Sequence, residues 1–512
     1  MTAEFFRKVL AGFRWLSRGE RETRRELRQH QREVADFHKE RDPEENRLTT
    51  PPDDEAVVVH CAWAVEFYTP AHTDELIENL SSFNRSSSRS EYDAEPLDSW
   101  IKRFHKVAHG GGWVNLGTWE PKGLPRKFIG PSRLVDMPPT VAYALAKAHR
   151  ISPAITCIAI CFVFEEDFST SFDTALRKSR DTYTRPVAAG FSTHTPREQK
   201  TEAIELIRAQ ISDDFTFWFR EHIPGIFSSD PIDGRVPICE FLTLQKATPF
   251  ADRESRSAAG LEYLRILGLD ANWEAWRHSS VPELHFSIQR QYLAAPLRYS
   301  TLTANEPRFS RLVGDYGGHK GQLAQILYLD ENMHDLFCMW AGSSLFDVFT
   351  ETLNRVRNSD DFRFGQSGNS VANLQRLQDH IFSLPDIEAV STEFANDIGA
   401  SGWYSRSTRM FVPCEPELYT PDDTLSTVFQ RRISKRSDWL QRTERAVRDQ
   451  LAQTGAIINA YENVRLQKNV NKLTWLVVVL TVCSVLIGGL QLSDIDLIQG
   501  LLQQIGFDLQ QP

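Results

Sequence analysis

The sequence lacks several features that would assign a function at once. Its seven cysteines are an odd number with no C-x-x-C pair, and most lie in apolar runs, which predicts reduced core residues. The N-terminal stretch has no long apolar core followed by a small-residue cleavage site, so no secretory signal is predicted. The net charge of −10 offers no basic field for a phosphate backbone, and no nucleic-acid-binding module is recognisable. Nucleic acid is therefore not an expected partner.

Charge is missing altogether from one stretch near the C-terminus. No charged residue lies between Lys472 and Asp494, and the run from Leu473 to Leu492 reads LTWLVVVLTVCSVLIGGLQL. A helix over this gap is about 31 Å long, which matches the hydrocarbon core of a bilayer. The run predicts a single transmembrane helix over residues 473–492, with membrane lipid as a partner. A buried helix of a soluble domain is the alternative.

The charges on either side of the run predict its orientation. Arg465, Lys468 and Lys472 precede the run, whereas the only charged residues after it are acidic. Basic residues stay on the cytoplasmic side of a membrane. We therefore expect the large N-terminal part in the cytoplasm, attached to the cell (inner) membrane. Residues 493–512 are expected to form a short amphipathic tail on the far side.

The rest of the chain has an ordinary globular balance, with 41% hydrophobic and 25% charged residues. Residues 1–50 begin with a basic amphipathic helix pattern and continue into a charged, helical run. Residues 51–415 mix strand and helix patterns and predict an α+β cytoplasmic body. The predicted strands are Ala56–Phe67, Ala154–Phe164, Val236–Gln245, Val281–Ile288 and Tyr292–Tyr299, and the predicted helices include Glu198–Ile211, Gly321–Leu327, Met333–Arg357 and Asn369–Phe382.

Residues 420–472 predict a stalk helix that joins the body to the span. Thr420 and Pro421, followed by two aspartates, are a helix-start signal, and no further proline occurs before Leu492. Apolar positions then recur at a spacing of three and four residues among charges, which is typical of a packed coiled-coil stalk. Such a stripe predicts a homo-oligomer, and packing back on the body as an intrachain hairpin is the alternative. The stripe consists of Leu440, Val447, Leu451, Ile458 and Tyr461.

Local catalytic motifs are missing or incomplete. The HGGGW of His109 to Trp113 is similar to an oxyanion-hole loop, but no G-x-S-x-G nucleophile follows it. The stretch GDYGGHKGQ lacks the glycine and the hydroxyl of a phosphate loop, so a turn before a helix is the better interpretation. His105 and His109 lack the glutamate of the metalloprotease motif. An enzyme is therefore not the favoured expectation, although a site built from distant residues escapes such a search.

One acidic cluster is a candidate for a divalent cation. Glu165, Glu166 and Asp167 follow a predicted strand directly, and carboxylate oxygens suit Mg²⁺ or Ca²⁺. A solvated turn is the alternative interpretation.

Small residues recur on one face of the predicted transmembrane helix. Thr474, Thr481, Ser484 and Gly488 recur at helical spacing. Such residues let transmembrane helices approach closely, and hydroxyls can also line a narrow aqueous path. Helix packing is the favoured use.

The order of an α+β body, a long stalk helix and the junction ENVRLQKNVNKLTWLVVVLTVCSVLIGG from Glu462 to Gly489 resembles the CorA family of divalent-cation channels. In that family the stalk leads into a pore-lining span that ends in Gly-Met-Asn, and a second span follows. Here Gly488, Gly489 and Leu490 stand in place of the signature and no second span follows, so selective Mg²⁺ transport does not carry over. The resemblance implies a ligand-sensing body coupled to an oligomeric membrane segment, as a divergent pore or a membrane effector. A membrane-tethered enzyme and a structural anchor are the alternatives.

Overall fold

The structure is a computed structural model of the 512-residue chain. The amphipathic pattern at the N-terminus, residues 505–512 of the predicted tail and the predicted helix Asn369–Phe382 lie outside the described residues. The described residues are 18–82, 84–85, 100, 112–123, 125, 127, 132–187, 190–230, 234–248, 266–269, 273–289, 298–358, 387–400, 405–415 and 419–504.

The body is built from strands and helices together, which confirms the predicted mixed α+β class. Most of the longer strands are rich in β-branched and aromatic residues, which suit an extended, half-buried or buried backbone. The strands are β1 Val57–Tyr68, β2 Asn84–Arg85, β3 Gly112–Pro121, β4 Ser132–Val135, β5 Val141–Ser152, β6 Ile155–Phe164, β7 Tyr183–Val187, β8 Gly190–His194, β9 Ile238–Leu244, β10 Trp273–His278, β11 Leu284–Gln289, β12 Tyr299–Asn305 and β13 Phe411–Pro413.

Along the described part of the chain, most helices lie between one strand and the next, and the longest helix follows the last strand. One of them, the helix after β8, begins with a capping box in which Thr195 and Glu198 satisfy each other's backbone amides. The helices are α1 Arg18–Thr49, α2 Pro70–Ser82, α3 Glu166–Arg177, α4 Pro196–His222, α5 Glu306–Val313, α6 Gly321–Asn332, α7 His334–Asn358, α8 Ile387–Ala400 and α9 Leu425–Gln504.

Eleven of the described strands form one sheet in the order β13-β10-β11-β12-β9-β1-β6-β5-β3-β4-β2, while β7 pairs with β8. The neighbours are antiparallel except for the parallel pairs β9 with β12 and β3 with β4. Strand β1 lies at the centre between β6 and β9, and nearly all its residues are buried. A strand covered on both faces needs apolar residues at consecutive positions, which explains why β1 is apolar except for His60 and Glu66.

Helices cover both faces of the sheet. On one face, Phe162 of β6 stacks against Phe215 of α4 with ring centroids 4.2 Å apart. On the other face, Trp63 of β1 stacks against Phe337 of α7 at 4.4 Å. Because Trp63 pairs with Cys161, the neighbour of Phe162, these two contacts lie on opposite sides of the sheet. The body is therefore a sheet between two helical layers.

Several of the predicted strands are confirmed. The strands predicted at Ala56–Phe67, Ala154–Phe164 and Val236–Gln245 are present as β1, β6 and β9. The strand predicted at Tyr292–Tyr299 lies almost entirely outside the described residues. The described strand Tyr299–Asn305 runs through a polar sequence whose side chains are all buried.

The chain divides into two units, of which the first holds the sheet and its helices. The second comprises Glu351–Asp386 and Arg442–Pro512. Its described part is the end of α7 and most of α9. Helix α9 begins at Leu425 rather than at Pro421, and Thr424 caps it by accepting a hydrogen bond from the Thr427 amide at 3.3 Å. It also continues past the predicted end of the span, as one helix to Gln504.

Candidate functional site

The most distinctive surface of the described residues is the apolar run near the end of α9. It belongs to one helix that is long and apolar enough to cross a membrane, with no part of the apolar window buried in the chain. Every described side chain from Leu473 to Ile487 is exposed, among them Trp475 at 70% and Val485 at 67%. Large apolar side chains exposed on all sides of a helix favour an apolar environment, because contact with water is unfavourable for them.

The hydroxyl groups in this run are compatible with such an environment. Thr474 donates a hydrogen bond to the Val470 carbonyl oxygen at 2.9 Å, and Thr481 donates to that of Val477 at 2.8 Å. Both hydroxyls are thereby paired within the helix, as a polar group in lipid must be. A methyl group added at Gly488 would meet no atom within 4 Å. The small-residue face is therefore open to a neighbouring helix.

The stripe predicted along the stalk is divided between burial and exposure. Leu440, Val447 and Leu451 are at most 3% exposed in the single chain, whereas Tyr461 is 64% exposed. The side chain of Ile458 lies outside the description. The first three positions are therefore covered within the single chain, while the prediction that the stripe joins copies of the protein stays a prediction. An already buried side chain contributes no further apolar burial to an oligomer, so the exposed part of the stripe is the part that could add such burial.

The acidic cluster does not converge on one point. Glu165 pairs with Lys127, whose Nζ lies 2.9 Å from Oε1, while Glu166 and Asp167 are exposed in the first turn of α3. Among the described residues no group of three or more His, Cys, Asp or Glu side chains is placed to hold a metal ion. Acids at this position suit the positive end of the α3 dipole.

The glycine-rich stretch before α6 is a turn, as its sequence indicated. Gly314, Gly317 and Gly318 all have positive φ, and Tyr316 and His319 exchange backbone hydrogen bonds across the turn. Of the HGGGW stretch, Gly112 and Trp113 belong to β3, while the preceding residues lie outside the described part.

Sequence reasoning missed a buried ion pair on the sheet. The Nζ of Lys147, on β5, lies 2.5 Å from Oδ2 of Asp330 near the end of α6. The indole N–H of Trp63 donates to the other carboxylate oxygen at 3.2 Å. Burial raises the pKa of Asp330, while Lys147 and Trp63 act in the opposite direction. Each charge needs the other, because an unpaired ion in this position is strongly destabilising.

Two histidines lie next to this pair. His149 follows Lys147 on the same face of β5, and its ring stacks on His334 at 5.2 Å, with the half-exposed Trp113 also in contact with His334. Burial lowers the pKa of His149 well below its ordinary value and that of His334 to about 4, with Lys147 adding to both effects. Both rings are therefore neutral at pH 7. Among the described residues, His149 Nε2 and His334 Nδ1 have no hydrogen-bond partner, so each could accept a proton or a ligand donor.

A second buried ion pair links α4 to the sheet. Arg208 Nε lies 3.0 Å from Oε1 of Glu240 on β9, and the Tyr299 hydroxyl donates to Oε2 at 2.8 Å. The guanidinium lies over the rings of Tyr299 and Trp273 at 5.4 and 5.7 Å. All four side chains are buried, so the group fixes the helix on the sheet rather than presenting a reactive face.

A buried carboxylate holds the segment that follows α4. Glu66 on β1 accepts hydrogen bonds from the amides of Phe67, Phe227 and Ser228 at 2.7 to 2.9 Å. Burial raises the pKa of Glu66 to about 7, although these amides favour the charged form. A methyl group on Gly225 would lie 2.5 Å from Glu66 Cγ, so this position requires glycine.

No family model, no curated protein and no solved structure matches the chain. Across the described part of the chain, its own residues define an α+β body and a helix that is long and apolar enough to cross a membrane.

Proposed function

We propose that the chain is a single-pass membrane protein whose cytoplasmic α+β body binds a ligand and is coupled through α9 to the membrane segment. The observation that carries the proposal is the exposed apolar surface from Leu473 to Ile487, none of which is buried in the chain. In water that surface would favour aggregation, whereas in a bilayer it faces lipid. Residues 473–492 form the span in this proposal.

The flanking charges support a cytoplasmic body. Arg465, Lys468 and Lys472 are exposed on α9 just before the span, and Asp494 and Asp496 follow it. The asymmetry of basic residues gives the orientation, so the body lies on the side of the basic flank, at the inner membrane of the cell.

The body suits binding and regulation better than chemistry. Its buried charges form two separate ion pairs inside the protein, Lys147 with Asp330 and Arg208 with Glu240. Catalytic groups are usually directed into a cleft where substrate can reach them. A sensing or binding role is therefore the function that these contacts favour.

Assembly of the membrane segment belongs to the same proposal. Thr474, Thr481 and Ser484 are exposed on one face of α9, and Gly488 continues that face without a neighbour. Close packing of several copies along this face is favourable in lipid. A divergent CorA-like path for ions, or a membrane effector, is the form that such an assembly would take.

Impermeant thiol labelling tests the topology. Cys483 is the exposed native cysteine of the described residues, so the background variant is Cys483→Ser. In right-side-out vesicles we expect Gln503→Cys to be labelled and Lys320→Cys, whose side chain is 81% exposed on the body, to be protected. Labelling of Lys320→Cys but not of Gln503→Cys would reverse the orientation. A chain that alkaline carbonate washes off membranes would refute the membrane assignment.

A further inference from the structure

A cleft of about 380 Å³ opens beside the first turns of α9. This volume lies in the range of sites for small molecules. Its lining combines cationic side chains with an aromatic ring: Tyr419, Thr420, Asp423, Val428, Arg431, Arg432 and Lys435.

One cation of the cleft is held in a fixed position. The Nη2 atom of Arg432 lies 2.9 Å from both carboxylate oxygens of Glu274 on β10, and Glu274 is 8% exposed. Among the described residues, the Nη1 and Nε atoms of Arg432 have no hydrogen-bond partner. A guanidinium fixed on one side and unpaired on the others is a preorganised donor for an anion.

The other two cations are available to a ligand. Lys435 is exposed and makes no ion pair or hydrogen bond with any described side chain. Arg431 pairs with Asp423 at 2.6 Å, but its side chain is 52% exposed. The Asp423 carboxylate is only 5% exposed and also accepts a hydrogen bond from the Thr420 amide at 2.9 Å, so it stays in place while the exposed part of the Arg431 guanidinium faces the cleft.

An aromatic wall completes the cleft. The ring of Tyr419 contacts that of Trp276 at 4.8 Å, and Trp276 follows Glu274 on the same face of β10. Trp276 is fully buried, and its indole N–H has no partner among the described residues. Trp276 therefore supports the Tyr419 ring from behind without lining the cleft itself.

From this geometry we propose that the cleft binds a small phosphate-bearing molecule. Three cations face one remaining carboxylate, Asp423, and a guanidinium fork with an ammonium group suits the oxygens of a phosphate. The inference rests on the proposed ligand-binding role of the body and names its ligand class. Because all three cations lie on α9, the ligand would also stabilise the first turns of the helix that carries the apolar run.

Calorimetry on the full chain in mild detergent tests the proposal. The probes are inorganic pyrophosphate, ATP and inositol trisphosphate, the last as a soluble form of a lipid headgroup, with sulfate at equal ionic strength as the reference. The test variant is Lys435→Glu, and the control is Lys320→Glu, which makes the same change at an exposed lysine of the turn before α6. We expect at least one probe to bind, Lys435→Glu to weaken it tenfold or more, and Lys320→Glu to bind as the wild type does.

The possible results distinguish a free phosphate compound from a lipid headgroup, and they test the ligand site separately from membrane attachment. Binding of pyrophosphate or ATP supports a free phosphate compound, and binding of inositol trisphosphate alone supports a headgroup with the same chemistry. Absence of binding by all three, equal binding by Lys435→Glu, or an equal effect of sulfate overturns the proposal. Carbonate extraction of the same Lys435→Glu protein reports membrane attachment independently, so failure of the ligand site leaves the membrane proposal standing and the reverse also holds.

Discussion

Two arginines placed inside the apolar run of α9 should release the protein from membranes. The change is Val479→Arg with Val485→Arg, at side chains that are 53% and 67% exposed in the single chain. Because neither valine packs inside the protein, the substitution creates no cavity, and the body should keep its free energy of unfolding. The matched control is Val464→Arg with Leu466→Arg, which adds the same charges at positions 51% and 58% exposed on the basic flank.

The magnitude follows from the composition of the run. It holds about a dozen Leu, Ile and Val residues, which on a membrane-insertion scale contribute about −0.3 to −0.6 kcal/mol each, or roughly −4 to −7 kcal/mol in total. Each arginine near the bilayer centre costs about 2.5 to 3.5 kcal/mol. Two of them offset almost the whole gain. One arginine alone should leave insertion favourable, and the flanking control should not oppose it.

Alkaline carbonate extraction of membranes measures the effect. We expect the wild type and the Val464→Arg, Leu466→Arg control to stay in the pellet, and the Val479→Arg, Val485→Arg variant to move to the supernatant. If that variant remained in the pellet with the wild type, the run would not be the membrane segment. Release of the control as well would assign attachment to the surface charge of the helix instead.

Three further predictions concern the body and its assembly. Glu240→Gln should lower the free energy of unfolding by about 3 to 5 kcal/mol in urea titrations, because it leaves Arg208 buried without its counter-charge, whereas Glu283→Gln at an exposed ion pair should have little effect. Burial lowers the pKa of His60 to about 4 in the fold, from about 6.5 in the unfolded chain, so the unfolded chain binds the proton first and stability falls as pH drops from 6.5 to 4. His60→Gln should remove on the order of 3 kcal/mol of that loss, and an unchanged pH profile would contradict this assignment. Gly488→Leu should weaken self-association in detergent measured by light scattering, and a wild type that is monomeric at every concentration would exclude the assembly.

The sequence predicted the elements whose local pattern agrees with their environment. Strands β1 and β6 are mostly apolar and are buried on both faces. The apolar run of α9 was equally plain, because a gap without charge is a property of the sequence itself. In each of these cases a short-range signal was sufficient.

Strand β5 shows why other elements were missed. Its sequence, VAYALAKAHRIS, is rich in alanine and carries Lys147, His149 and Arg150, which are unfavourable in a buried strand unless they have partners. Lys147 finds its partner in Asp330, far along the chain, and no local pattern shows that contact. One signal was present, since alanine alternates with larger residues at the period of a strand from Ala142 to Ala148.

The stalk and the cleft illustrate the same limit. The spacing of Leu440, Val447 and Leu451 was visible, but the choice between a second chain and the same chain depends on packing partners that spacing does not identify. The cleft joins Glu274 of β10 to Arg432 of α9, which are far apart in sequence and meet only because the fold brings them together.

The position of the apolar run also bears on how the protein is made. At about 5 to 20 residues per second, synthesis of the stretch between Pro413, the end of β13, and Leu473 takes roughly 3 to 12 s. Strand β13, the last strand of the sheet, and the first turns of α9 are made before the run, so every described strand of the body exists before the ribosome has produced the span. Folding of a domain is usually faster than this interval. The sheet of the body can therefore pair before the apolar run is made, so its folding does not depend on where that run finally lies.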